Sequence, residues 1–201
     1  AEVLHQLKNK GIALIALRSA GFNHVDIACA KQLSLPVVRV PAYSPYAVAE
    51  HAVGLLLCLN RGIHRAHNRI REGDFSLRDL MGFDLHGKTV GVVGTGKIGK
   101  IGQAFSSIML GFGCNVIAYD VVHNEECVKS GVTYVSLDDL LSQADVISLH
   151  CPLTPETYHL IDQNALAKMR DGVTIINTSR GKLVDTKAII NAIWQAKPYR
   201  P

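Results

Sequence analysis

Residues 89–102 constrain the fold of this chain more than any other stretch. The apolar run Thr89–Val93 passes directly into Gly94-Thr95-Gly96-Lys97-Ile98-Gly99, and helical spacing comes next. A GxGxxG pattern alone is weak. Placed between a strand and a helix it is the signature of a dinucleotide-binding βαβ unit. Gly94 can make the tight turn, Gly96 lets the main chain approach a pyrophosphate, and Gly99 lets the helix lie close to the sheet. The free N–H groups and the helix dipole at that point favour an anion. The next strand-like run, 115–119, ends at Asp120. A carboxylate there can bind both hydroxyls of an adenosine ribose and repels a 2′-phosphate, which favours NAD over NADP. The competing reading, a tight turn beside a surface aspartate, does not explain why both features fall at their required places.

The loop carries an irregularity: Lys-Ile-Gly occurs at 97–99 and again at 100–102. Three added helical residues rotate the downstream part of the helix by about 300° and lengthen it by about 4.5 Å. Ile98, Ile101, Phe105, Ile108 and Phe112 still form one stripe, so the addition can be absorbed as a re-registration or a local bulge. Gly102 competes with Gly99 for the third glycine position. Gly99 has the fingerprint's own spacing from Gly96.

The rest of the chain alternates strand and helix. Strand-like runs lie at 11–17, 36–41, 89–93, 115–119, 132–135, 146–149 and 173–176. Helices are expected at 25–33 after a capping Asn23, and near Lys97, Glu125, Leu137, Gln163 and Thr186; Ser136 with Asp139, Asp162 and Asp185 serve as N-cap signals. A long helix is expected from Ser44-Pro45 to Ile70, with Gly73 as its stop. The fold class is α/β, a doubly wound parallel sheet. A formal net charge of +4 with scattered basic residues gives no reason to expect nucleic acid. The longest apolar run, Ala52–Leu59, is too short to span a bilayer. Five cysteines without a CxxC pair read as reduced thiols of a cytoplasmic protein. The chain starts at Ala1 with its apolar pattern already running, as a piece of something longer does.

In such sheets ligands sit beyond the carboxyl ends of the strands. Two further strands end there in informative sequence, His150-Cys151-Pro152-Leu153-Thr154 and Asn177-Thr178-Ser179-Arg180-Gly181. The planar fork of Arg180 suits a substrate carboxylate; the alternative is a surface salt bridge. Adjacent His150 and Cys151 do not place a thiolate against its base, and read better as pocket wall and strand-end contact. His64 and His67 share a helix face, but no third ligand is evident and no metal is expected.

Several stretches together resemble the NAD-dependent D-2-hydroxyacid dehydrogenases, and within them the fermentative D-lactate branch. They are ALRSAGFNHVD (16–26), VRVPAYSPYAVAEHAV (38–53), FDLHGKTVGVVGTGKIG (83–99), VIAYD (116–120), LHCPLTPET (149–157) and INTSRGKLVD (176–185). The resemblance implies a Rossmann-type domain at 44–201 and, at 1–43, a remnant of a flavodoxin-like substrate domain. It implies that Gly94, Gly96, Ile98 and Asp120 line the NAD site, with Pro152, Thr157, Thr178 and Ser179 near the nicotinamide ribose. Arg180 would bind the carboxylate of a small 2-oxo acid and polarise its carbonyl. Ala20 and Gly21 would offer backbone contacts to that carboxylate, and Tyr43 would cover the substrate. The long helix would serve a homodimer contact. The family's general-acid His and its Glu partner are expected downstream of the matched region. Two functions stand as expectations: an oxidoreductase moving hydride between NAD(H) and D-lactate or pyruvate, or a truncated NAD-binding module without turnover.

Overall fold

The computed structural model describes residues 1–41, 44–96 and 100–195. The chain divides into two compact units, Ala1–Ser44 and Pro45–Pro201. The first runs through α1 (Glu2–Asn9), β1 (Ile15–Leu17), α2 (Ile27–Gln32) and β2 (Val37–Arg39), and β1 and β2 pair in parallel. Leu4, Cys29, Ala30 and Leu35 form its small core. The helix α1 lies where no element was expected. Asp26, rather than Asn23, caps α2, because its carboxylate accepts from the Cys29 N–H at 2.9 Å.

The second unit is built on a sheet of five strands: β3 (Thr89–Val93), β4 (Asn115–Tyr119), β5 (Thr133–Tyr134), β6 (Val146–Leu149) and β7 (Thr174–Asn177). Their order is β5-β4-β3-β6-β7 and every pairing is parallel. The chain enters at the centre, winds outward to β5, then crosses to β6 on the other side of β3. That reversal opens a crevice beyond the carboxyl ends of β3 and β6.

Strand alternation distributes the core to both faces. Val90, Val92, Val116, Ala118 and Val146 join Ala52 and Leu56 of α3 (Pro45–Asn60) and Phe105 and Met109 of α5 (Ile101–Gly111). Val93, Ile117, Ile147 and Leu149 face the other way, against Leu140 and Leu141 of α7 (Leu137–Gln143) and Ala165 of α8 (Gln163–Lys168). Several helices have a local reason to start where they do. Asn124 caps α6 (Glu125–Lys129), Ser136 caps α7, Asp162 caps α8, and the Asp185 carboxylate accepts from Lys187 N–H at the start of α9 (Thr186–Gln195).

The long helix expected from Ser44 to Ile70 is two helices. α3 ends at Asn60 and α4 (Ile63–Arg71) begins after Gly62, whose φ is +58°. A residue in the left-handed region interrupts the i→i−4 ladder while the apolar spacing runs on across the break, so periodicity alone does not reveal it. Gly73, at φ +79°, comes after α4 as its stop.

Candidate dinucleotide-binding site

The crevice is framed by the loops after β3, β4, β6 and β7. Gly94 comes directly after β3 with φ +92°, and its N–H donates to the Tyr119 carbonyl at 2.9 Å. A Cβ on Gly94 would lie 2.6 Å from the Cys151 nitrogen. The first glycine is therefore needed for its turn and for the closeness of the two central loops. A Cβ on Gly102 would fall on the Gly94 carbonyl oxygen. Gly102 thus makes a close helix-to-loop approach. Lys97, Ile98 and Gly99 lie outside the described residues. Lys100, at φ +48°, is the N-cap of α5.

Asp120, just past β4, binds the glycine loop through one oxygen. Its Oδ2 accepts from the N–H groups of Thr95 (2.8 Å) and Gly96 (3.0 Å) and from the Thr95 hydroxyl (3.3 Å). A cleft of ≈ 540 Å³ opens beside this carboxylate, lined by Gly96, Lys100, Gln103 and the segment from Asp120 to Glu126. It has a carboxylate at one wall and a glycine main chain at another, the pairing an adenosine ribose next to a pyrophosphate requires.

On the other side of the crevice, the loop after β6 is braced internally. Thr157 accepts from the Thr154 N–H (2.8 Å) and donates to the Pro152 carbonyl (2.7 Å). The Ser179 hydroxyl donates to the Cys151 carbonyl at 2.8 Å, tying the loop after β7 to the loop after β6. Asn177 closes the turn, accepting from Ser179 N–H and donating to the Arg180 carbonyl. The Thr178 hydroxyl oxygen is buried with no hydrogen-bond partner among the described residues. A buried polar atom left in that state is rare in a folded protein and marks a place for a ligand or water group. Together with the Asp120 cleft it fits a dinucleotide spanning the crevice.

His150 and Cys151 behave as structural groups. Burial pushes the His150 imidazole down to about 4, and its Nε2 bonds the Ser148 hydroxyl at 2.9 Å. Burial pushes the Cys151 thiol up to about 11. At neutral pH Cys151 is not a thiolate and His150 not an imidazolium, so no Cys–His nucleophile forms. His64 lies beside Cys58 (Sγ···Nδ1 3.5 Å), and among the described residues no group of three or more His, Cys, Asp or Glu could hold a metal.

Ala20 and Gly21 lie in the first unit, in the turn after β1. The Ala20 carbonyl accepts from Arg39 and the Gly21 carbonyl from Ser19. Tyr43 is outside the described residues. Sequence reasoning did not single out Lys100, Gln103 and Asn124, which line the cleft, or Tyr134, which lies on β5. The second Lys-Ile-Gly copy was the one signal that pointed at Lys100. Tyr134 gave none, being on a strand of only two residues.

A parallel sheet with its reversal at β3/β6, a glycine turn and an aspartate after the second strand define a dinucleotide-binding domain of the Rossmann type. Comparison with known proteins narrows this. Residues 53–197 match the model of the D-isomer specific 2-hydroxyacid dehydrogenase NAD-binding domain. A 2-hydroxyacid dehydrogenase homolog of Schizosaccharomyces pombe is 56% identical over 193 residues, 96% of this chain and 58% of that protein. The apo-structure of D-lactate dehydrogenase from Escherichia coli superposes with a TM-score of 0.90 at 54% identity, covering 96% of this chain and 60% of that one. D-lactate dehydrogenase from Aquifex aeolicus, complexed with NAD and lactic acid, gives 0.82 at 42% identity, covering 92% and 55%. The chain belongs to the D-isomer specific 2-hydroxyacid dehydrogenase family. It spans about three fifths of the length of these relatives.

Proposed function

We propose that this chain is the NAD-binding part of a D-lactate-type dehydrogenase, acting on a small 2-oxo or 2-hydroxy acid. The Asp120 carboxylate, anchored to the glycine loop through Oδ2 and bordering an open cleft, is the observation that carries the reading. Residues 1–43 belong to the substrate domain and 44–201 to the NAD-binding domain. Gly94, Gly96, Ile98, Gly99 and Asp120 serve the adenosine and pyrophosphate half; Pro152, Thr157, Thr178 and Ser179 serve the nicotinamide ribose. Thr157 acts by bracing its loop, since its hydroxyl is already engaged there.

Bound NAD supplies the hydride chemistry. The chain's own residues hold and orient. Arg180 is the substrate-binding and catalytic cation, its guanidinium complementary to a carboxylate and able to polarise the adjacent carbonyl. Ala20 and Gly21 offer backbone groups to the carboxylate, and Tyr43 covers the substrate. His150 is not the proton donor, because its imidazole is neutral at pH 7.

NADH fluorescence titration tests this directly. NADH binds and NADPH binds much more weakly. Asp120→Ala loses a charged acceptor and weakens NADH about ten- to a hundredfold. A chain that ignores NADH, or an Asp120→Ala variant of unchanged affinity, overturns the reading.

The same reading includes a homodimer formed along α3 and α4. It is supported by Tyr46, Leu55, Leu59 and Ile63, which are exposed there while Ala49, Ala52 and Leu56 are buried. It also includes a cytoplasmic location, supported by five free cysteines; recovery of the protein in a membrane or secreted fraction counts against it. No helix among the described residues is long and apolar enough to cross a membrane.

A further inference from the structure

Tyr134 occupies the edge strand β5, where no direct cofactor contact is expected. Its register places it opposite Ala118, two residues before Asp120 on the neighbouring strand. From there its hydroxyl reaches two loops at once. It accepts from the Asn124 N–H at 2.9 Å and lies 2.7 Å from the Thr95 hydroxyl. The direction of the second bond comes from counting protons. A carboxylate only accepts, so the Thr95 proton goes to Asp120 Oδ2. Thr95 then accepts from Tyr134, whose own oxygen accepts from Asn124, in the arrangement that uses the 3.3 Å contact; the Cys127 thiol is a further side-chain partner of the Tyr134 hydroxyl.

The Tyr134 hydroxyl thereby links the Asn124 N–H to Thr95 and, through Thr95, to the Asp120 carboxylate. Each bond polarises the next. Thr95 is fully buried, so this link is shielded from water. Burial is also the main cause that raises the Tyr134 phenol, which keeps the hydroxyl a donor. The His123 ring stacks on the Tyr134 ring at 4.2 Å, fixing its plane. Asn124 and His123 belong to the wall of the cleft beside Asp120.

We propose that Tyr134 is a positioning residue for the adenosine half of the cofactor. Its hydroxyl joins the glycine loop to the loop after β4 and holds Asp120 by Oδ2, leaving Oδ1 for the ribose hydroxyls. The proposal rests on the NAD-binding reading above.

The test measures binding of NADH, 5′-AMP and reduced nicotinamide mononucleotide to the full chain and its variants. Tyr134→Phe keeps the ring stack and removes the hydroxyl. It weakens NADH and 5′-AMP by the same factor, about three- to tenfold for one lost hydrogen bond, and leaves the mononucleotide unchanged. Thr95→Val does likewise, and the double variant loses no more than the larger single loss, because both break one chain. Thr95→Ser, which retains a hydroxyl, loses less than Thr95→Val. Should Tyr134→Phe fail to fold, the two Thr95 variants decide the matter. Unchanged 5′-AMP affinity in Tyr134→Phe and Thr95→Val overturns the proposal, as does an equal loss for both half-cofactors, which marks a general structural effect. If the unaltered chain binds NADH and the variants bind equally well, only this proposal falls. If the unaltered chain binds neither NADH nor 5′-AMP, both readings fall.

Discussion

His150 directly follows β6, with its imidazole against the Phe105 ring (centroids 5.1 Å apart) and its Nε2 on Ser148. Burial lowers its pKa from 6.5 to about 4 in the folded chain. Above pH 6.5 the residue is neutral whether the chain is folded or not, and stability is unaffected. Between about 6.5 and about 4 the unfolded chain takes up a proton that the folded chain refuses. Stability therefore falls across that window, by on the order of 3 kcal/mol in total. Urea melts at pH 7, 5 and 4 should show it. His150→Asn is less stable at pH 7 but has a flatter acid limb; an equally steep limb refutes the assignment. Sequence reading placed Gly94 at the turn after β3 and Asp120 after the second strand of the fold, where both lie, because each position is dictated by local geometry. It gave the third glycine role to Gly99, since spacing counts residues. Contact with the Gly94 carbonyl depends on tertiary packing instead, and Gly102 makes it.

At the scale of elements, caps and strands were legible because each is written within a few residues. Ser136 with Asp139, Asp162 and Asp185 all lie at the helix starts their chemistry predicts. The α3–α4 break was not legible, because the apolar stripe passes through Gly62 unbroken. Within α3 another glycine behaves differently. Gly54 lies mid-helix, and nothing lies within 4 Å of where its Cβ would be. Gly54→Ala should stabilise the chain by about 0.5–1 kcal/mol, through the lower conformational entropy of the unfolded state. Chemical denaturation measures it. A destabilisation would show that α3 needs a bare surface there, as a close helix contact in a dimer does.

For the whole molecule, both faces of the central sheet are covered but several outer faces are not. Ile193 and Trp194 of α9 are 68% and 83% exposed, and Leu59 and Ile63 of α3 and α4 are also exposed. Among the described residues β7 is an edge strand. Apolar helix faces and an unpaired edge together drive self-association. Light scattering after size exclusion should report a dimer or larger species. Polar replacement of Leu59 and Ile63 should reduce it if α3 and α4 form the contact, and a clean monomer at high concentration contradicts the reading. The sequence by itself determined the α/β class, the parallel sheet, the glycine turn and the acidic residue after the second strand. Each comes from local periodicity or from a turn that only certain residues can make. Only the tertiary structure decided which residue packs on the glycine loop, where the long helix breaks, and that Tyr134 reaches Asp120 through Thr95. Those depend on contacts between strands and loops far apart in the chain, and no local pattern encodes such distances.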